Sequence, residues 1–547
     1  MLAGQEQRAR GTEARSEGAA SGTVVAALSD RGAGTGVVRW AVRHPLVLCL
    51  PVQAVLLFTA LGHLPVWGDE QASLERAAMP LPELAASLRT NVNPLLYFAV
   101  LRGWMALPLP LDPLVQARAL SALCLMLATV AIDRCWLRGL DARSRAWFLA
   151  LWTVSPTAML YGRMARSYSL QVLLACVALY AGTRYARRPS LDGLVGYSLA
   201  ATLLLYVHYV PGIAVLAAVA AVMLWRLVRE RDPRRVPALG APLVVTGLAF
   251  APWAPAFLAA LARVGTAPPP PLFGGRVADD LAAAAFSAVS FTVGESVHVW
   301  MLVAAALLAP AIALLLVRGV RQRPEWLPFV LVAAPVAFLG ASRWVSYAFV
   351  AARVLFLLPF FLLLLVAGGR SAPRLRAVVG AGLLGLSLAG IQAYVATADF
   401  LNQAYVIPAA DIGAYISAQS GSGPVTVILD HHSANLTPVK PGLPPGAKLI
   451  FLAGDRDAEL AKQIAAEQTD GVVWLVGSAH DVSPLQLNGR VESMFVRSGF
   501  AVRHTGFAPY PALHRWVMGI AGWQQRPTFA IDVLEMRRPS AAPATAP

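Results

Sequence analysis

Two neighbouring carboxylates, Asp69 and Glu70, stand directly after the first long apolar stretch of a 547-residue chain. Charge is costly in or beside a bilayer, so an acidic pair among aromatic and apolar residues at a membrane edge points to chemistry or binding. The setting is Val66-Trp67-Gly68-Asp69-Glu70, and Asn93-Pro94-Leu95-Leu96-Tyr97 follows. Arg163, Arg166 and Tyr168, then Tyr206-Val207-His208-Tyr209, then Ser342-Arg343-Trp344 and Arg353, stand at the ends of other apolar stretches. A carboxylate can take the proton of an acceptor hydroxyl as general base. Arginine is permanently charged and offers several donors to a phosphate oxygen. Base, cationic clamp and membrane together suit glycosyl transfer from a polyprenyl-phosphate sugar, where cations stabilise the charge that develops on the leaving phosphate.

These residues need a membrane scaffold to meet. The chain is 57% hydrophobic and 14% charged, with a mean hydropathy of +0.59; a soluble domain carries roughly 25% charged residues. It is expected to be a polytopic α-helical membrane protein. Residues 1–44 read as a disordered cytoplasmic tail. Segments near 45–65, 114–134, 146–162, 168–185, 191–207, 209–227, 237–261, 298–317, 326–342, 353–369 and 375–397 have the apolar character of spans. Arginines crowd five short loops, at Arg134–Arg145, Arg184–Arg188, Arg226–Arg235, Arg318–Arg323 and Arg370–Arg376. All five fall on the side of the N-terminal tail if 94–110 lies as a helix at the outer surface without crossing, and basic loops mark the cytoplasmic side. The expected layout is eleven spans in the plasma or inner membrane, N-terminus cytoplasmic and C-terminus extracytoplasmic. External loops then cover 66–113 and 262–297. The net charge of +15 is topology signal at lipid headgroups, and no nucleic-acid pattern accompanies it.

Beyond 400 the composition turns polar. Short apolar runs at 425–429, 449–452 and 472–476, a helix-like stretch at 457–467 and a last run at 529–534 predict an extracytoplasmic α/β domain over 400–547, with a disordered end. Asp430-His431-His432 reads as a polar loop, with metal ligation as the sharper alternative. Cys49, Cys124, Cys135 and Cys176 fall in or beside spans and read as small apolar residues. Asp279, Asp280 and Glu295 in the 262–297 loop read as solvated or acceptor-facing.

The order of Trp67-Gly68-Asp69-Glu70, Asn93-Pro94-Leu95-Leu96-Tyr97, Ala117-Arg118-Ala119-Leu120-Ser121, Arg163-Met164-Ala165-Arg166-Ser167-Tyr168-Ser169-Leu170 and Tyr206-Val207-His208-Tyr209 resembles the GT-C glycosyltransferases that use polyprenyl-phosphate sugars. These are the broad group of bacterial protein O-mannosyltransferases and aminoarabinose transferases. The resemblance implies a GT-C fold over 45–399 and an inverting, single-displacement transfer of mannose or a similar sugar. The acceptor would be an extracytoplasmic protein, lipid or glycan. It implies Asp69 as general base, with Glu70 supporting the acceptor or a metal. Arg163, Arg166 and Arg353 would contact donor phosphate, with Arg343 competing for the role of Arg353. His208, Tyr168, Asn93 and Tyr97 would line the substrate. No protein metal ligand is assigned, and a divalent cation is left open as a helper. Many relatives carry an acid where this chain has Met164, which argues against a tightly held metal.

Plainer readings stand beside these. Glu70 fits a helix N-terminus electrostatically. Span-end arginines commonly reach to headgroups, and His208 suits a structural histidine equally well. A non-catalytic scaffold or a lipid or glycan transporter is the competing function, although paired broken helices and internal symmetry, which a transporter would carry, are not evident.

Overall fold

The computed structural model describes residues 43–538, apart from 90, 92, 232–234, 267–274, 324–325, 327–328, 345–350, 398, 422, 430–437, 452–462, 465–471, 479–490, 513–514 and 517–527. The N-terminal tail, Asp430-His431-His432 and most of the 457–467 stretch therefore lie outside the described residues.

The helices begin where the sequence supplies caps. Asp112 accepts the N–H groups of Leu114 (2.9 Å) and Val115 (3.3 Å), and Pro113 opens the Pro113–Ile132 helix. Proline at that position loses no hydrogen bond because the first N–H groups have no helical partner. Ser155 with Pro156, and Ser190, repeat the device for Pro156–Gly162 and Leu191–Val207. Six described helices are long and apolar enough to cross a membrane: Pro113–Leu137, Tyr209–Glu230, Val236–Ala262, Val299–Gln322, Ala351–Ser371 and Pro373–Val395. The chain is a multi-pass membrane protein. The expected count of eleven is not reached on that measure. Pro45–Phe58, Leu191–Val207 and Phe329–Gly340 are shorter apolar helices. The 146–162 segment breaks between Thr153 and Pro156. Tyr168–Arg187 has the length without the apolarity. The stretch expected at the outer surface holds the Leu95–Met105 helix, which at about 1.5 Å per residue is roughly 16 Å long, half a hydrocarbon core.

Tyr168–Arg187 is the hub, packed against Pro113–Ile132, Leu191–Val207 and Tyr209–Glu230. Leu358–Gly368, the main part of the Ala351–Ser371 span, is apolar all round and buried within the bundle. Its closest neighbour is Val299–Gln322. A Cβ on Gly319 would stand 2.2 Å from the Leu364 carbonyl oxygen, and one on Gly368 would stand 1.9 Å from that of Leu315. Only glycine lets the two backbones meet this closely, a usual solution in membranes.

The 262–297 stretch, expected as an external loop, holds helices among its described residues. It carries the end of the Ala254–Thr266 helix and all of Arg276–Val293, and so is largely helical. Apolar residues recurring along Arg276–Val293 bury Ala283, Ser287, Ser290 and Val293 on one face.

The tail holds a five-stranded sheet in the order β2-β1-β3-β5-β4. β1 (Val425–Leu429) pairs in parallel with β2 (Lys448–Phe451) and β3 (Val472–Ser478). β5 (Phe529–Arg537) runs antiparallel to β3 and to β4 (Ala501–Pro509). β1 is buried throughout, as parallel strands covered on both faces are. The Ala409–Ser420 helix lies against β3, where Trp474 Nε1 donates to Ser420 Oγ at 2.9 Å. Ile412, Ile416 and Trp474 belong to the same apolar cluster as the membrane helices, joined through Tyr405 and Ile407.

On β4, His504 places Nδ1 3.0 Å from Asp532 and Nε2 3.0 Å from Glu492. Burial opposes its charge, but the two carboxylates outweigh it and raise the imidazole above its ordinary value. A raised histidine contributes stability below its unfolded value, about 6.5, that is lost as pH climbs through the folded one. The tail is therefore expected to melt at a lower temperature as pH rises above about 6.5. A His504→Gln variant flattens that dependence, which melting curves across that range check.

Candidate active site

The Gly68–Ala78 helix begins at the acidic pair, with Trp67 at its N-cap. Carboxylates in a first turn meet the positive end of the helix. Successive helical residues point about 100° apart, and the pair divides accordingly. Glu70 is fully buried, Asp69 44% exposed at its side chain.

Glu70 is held from two directions. Arg118, inside the Pro113–Ile132 helix, donates Nε to Oε1 (2.8 Å) and Nη2 to Oε2 (2.6 Å), a bidentate pair. The Ala165 N–H adds a third bond to Oε1 at 2.7 Å. Arg118 also donates to the carbonyls of Leu61 (3.0 Å), Leu64 (2.9 Å) and Pro65 (3.0 Å). Glu70 thus pins three chain segments together. With both oxygens engaged, it is placed for this structural work and not for the acceptor or metal role expected of it.

Asp69 faces outward. Arg166 Nη2 lies 3.2 Å from its Oδ2, and Nη1 donates to the Asp69 carbonyl (3.1 Å) and to Ser73 Oγ (3.2 Å). The Arg166 guanidinium stands 5.8 Å from the centre of the Tyr168 ring. Burial opposes its charge, and Asp69 and Tyr168 more than restore it, so its affinity for the proton is raised. Its Nε is buried with no hydrogen-bond partner among the described residues, as is Trp67 Nε1. Unpaired buried donors are rare and call for an explanation; here both sit beside the accessible carboxylate's loop.

Arg353, on the Ala351–Leu357 3₁₀ turn, lies within electrostatic reach of Tyr168, Asp69, Tyr405 and Tyr161. His208 ends Leu191–Val207 and caps Tyr209–Glu230, where its Nδ1 accepts the Val210 N–H at 3.2 Å. Burial, followed by the charges of Arg353 and Arg166, pushes it down to about 3, so it serves as a neutral imidazole. Tyr97 is buried, with Ser121 and Arg166 beside its hydroxyl. Asn93 bonds within its own loop, its N–H to Asn91 Oδ1 at 2.9 Å. The side chain of Arg343, in Ala334–Trp344, lies outside the described residues.

Arg163 departs from its expected role. Its Nη1 donates to the carbonyls of Leu56 (2.7 Å), Leu57 (3.3 Å) and Thr59 (2.8 Å), Nη2 to that of Ala60, and Nε to Tyr394 Oη (3.0 Å). It caps the end of Pro45–Phe58, where carbonyls lack helical partners. An Arg163→Ala variant leaves these groups unpaired and is expected to lose about 1–3 kcal/mol. The check is a melt of the purified protein alongside donor KM. The melting temperature falls while KM holds.

A small pocket of about 10 Å³ is lined by Trp67, Glu70, Arg163, Met164, Tyr394 and Tyr405 among others, room for about one water. Among the described residues, no three His, Cys, Asp or Glu side chains converge as a metal set.

Sequence reasoning quoted Arg118 in a motif but gave it no role; a guanidinium in the interior of an apolar helix was the signal. Glu295 was expected to be solvated or acceptor-facing. The structure buries that residue to 1% exposure, because the loop carrying it turns inward beneath Tyr161.

A solved structure superposes on this architecture. The crystal structure of ArnT from Cupriavidus metallidurans in the apo state matches with a TM-score of 0.50, over 83% of this chain and 95% of that one. The chain shares the fold of ArnT. Sequence identity is 14%, so the likeness is one of fold. The crystal structure of ArnT from the same organism bound to undecaprenyl phosphate aligns at 13% identity and a TM-score of 0.49, over 89% of this chain and 97% of that one. No protein-family model and no curated protein matches the chain.

Proposed function

We propose that this protein is a membrane glycosyltransferase. It moves a sugar from a polyprenyl-phosphate donor to a hydroxyl at the extracytoplasmic face. The observation that carries this reading is the Asp69–Arg166 pair, an accessible carboxylate 3.2 Å from a guanidinium with a buried Nε that has no partner among the described residues. Asp69 takes the proton of the acceptor hydroxyl as it attacks the anomeric carbon. Arg166 and Arg353 carry positive charge to the side where the leaving phosphate gains its negative charge. Fixed cations in a water-poor site stabilise developing charge without reorganising. Trp67 Nε1 is a further donor for an oxygen of the ligand. Tyr168 and Tyr97 flank Arg166, and neutral His208 adds no competing charge. Glu70 and Arg163 hold the loops that present these groups. Mannose or a pentose of similar shape fits the reading, and a divalent cation is not required by it.

One base and one leaving group imply a single displacement with inversion. The test is the anomeric configuration of the product. A lipid-linked sugar of defined configuration is supplied in liposomes with a hydroxyl acceptor, and the glycoside is read by NMR. The reading expects the inverted anomer alone. A retained anomer contradicts it.

A further inference from the structure

The loop between Arg276–Val293 and Val299–Gln322 carries a carboxylate that no step above uses. Glu295 Oε1 accepts the Tyr161 hydroxyl and Ser290 Oγ, the latter at 3.1 Å. The Ala351 N–H, two residues before Arg353, faces the same carboxyl. Tyr161 Oη lies 3.4 Å from Tyr405 Oη. The two tyrosines lead to both halves of the site. Tyr405 sets its ring edge-on to Trp67, 5.1 Å between centres, at the cap of the helix bearing Asp69. Tyr161 packs at 5.4 Å on Tyr168, the ring beside Arg166.

The backbone around Glu295 is tied as well. Its carbonyl accepts the Leu401 N–H at 2.7 Å, the Val297 N–H reaches Asp399 at 3.2 Å, and Ser296 bridges Phe400. This is the joint between the last long helix and the tail domain. A buried carboxyl is expensive, and a plug for a gap would be apolar.

We propose that Glu295 is a positioning residue for the Asp69 site, acting through Tyr161, Tyr405 and the Ala351–Arg353 turn, and that it fastens the start of the tail domain to that site. The proposal rests on the reading of the Asp69–Arg166 pair given above. The titratable groups that face Glu295 are Tyr161 from the Pro156–Gly162 helix and Tyr405 from the joint, with Arg353 just beyond Ala351. Burial lifts the carboxyl to about 7, against the bonds from Tyr161, Ser290 and Ala351. The ionised form, dominant above that value, accepts the Tyr161 hydroxyl more strongly. Transfer therefore rises with pH through the neutral range.

The test uses the full chain in liposomes, with Glu295→Gln, Glu295→Ala and Tyr161→Phe. Wild type is expected to lose transfer steadily from about pH 8 to about pH 6, with a midpoint near the Glu295 value. Glu295→Gln and Tyr161→Phe run flat across that interval, about tenfold below wild type at the alkaline end. Hydrogen exchange over 399–406, which needs no donor, speeds up in Glu295→Ala. A Glu295→Gln variant that keeps both the rate and the acid limb overturns the proposal, as does Tyr161→Phe should the glutamine variant not fold. If wild type transfers nothing, the reading of the site fails separately. Unchanged exchange in Glu295→Ala then overturns the anchoring role by itself.

Discussion

An Arg118→Ala protein loses about 3–5 kcal/mol of stability, because truncation strands the Glu70 carboxylate in the interior without its partner. The geometry explains the size. Glu70 is fully buried, both of its oxygens face the guanidinium, and the same guanidinium holds the carbonyls of Leu61, Leu64 and Pro65. One substitution therefore removes an ion pair and releases the turn that leads into the Gly68–Ala78 helix. Removing both charges at once is milder, since an apolar pair of similar volume escapes the cost of an unpaired buried charge. A Glu70→Leu, Arg118→Met double variant should recover a good part of the loss. Melting of the single and double variants in detergent gives the cycle, and an additive result would contradict the pairing.

The neighbouring carboxylate behaves in the opposite way. Asp69→Asn keeps the shape of the side chain and leaves the fold intact, because this group is 44% exposed and meets Arg166 at the surface of the site. Its transfer rate falls by about 10²–10⁴-fold, the usual contribution of a general base. Rate and melting curve measured on one preparation separate the two acids. Asp69→Asn is inactive and stable, and changes at Glu70 are unstable first. An Asp69→Asn protein with near wild-type turnover would remove the base from the account.

The sequence marked the acidic pair but not its division of labour, because adjacency says nothing of which side chain faces the core. That depends on where the Gly68–Ala78 helix starts and how it packs. Arg163 and Arg166 looked equivalent for the same reason. The tight turn between them aims one at the carbonyl end of Pro45–Phe58 and the other at Asp69. Glu295 followed Gly294 and preceded Ser296, a pattern typical of a surface loop. Its burial comes from contacts with Tyr161 and residues near 400, more than a hundred positions away in either direction. In the tail, β1, β2, β3 and β5 were legible as apolar runs, and β1, β3 and β5 are the buried ones. β4 is an edge strand in which Arg503, His504, Thr505 and Gly506 interrupt the apolar residues, so it gave no such run. The Ala409–Ser420 helix was hidden among small residues next to the last span.

The measurement that tests the central claim most directly is the donor balance. Full-length protein in liposomes is given sugars linked to polyprenyl phosphate, and nucleotide sugars in parallel. The account predicts transfer from the lipid-linked donor alone, with one polyprenyl phosphate released for each sugar joined to the acceptor. Transfer from a nucleotide sugar, or a folded protein that turns over no lipid-linked donor across a broad panel of sugars and acceptors, would contradict it.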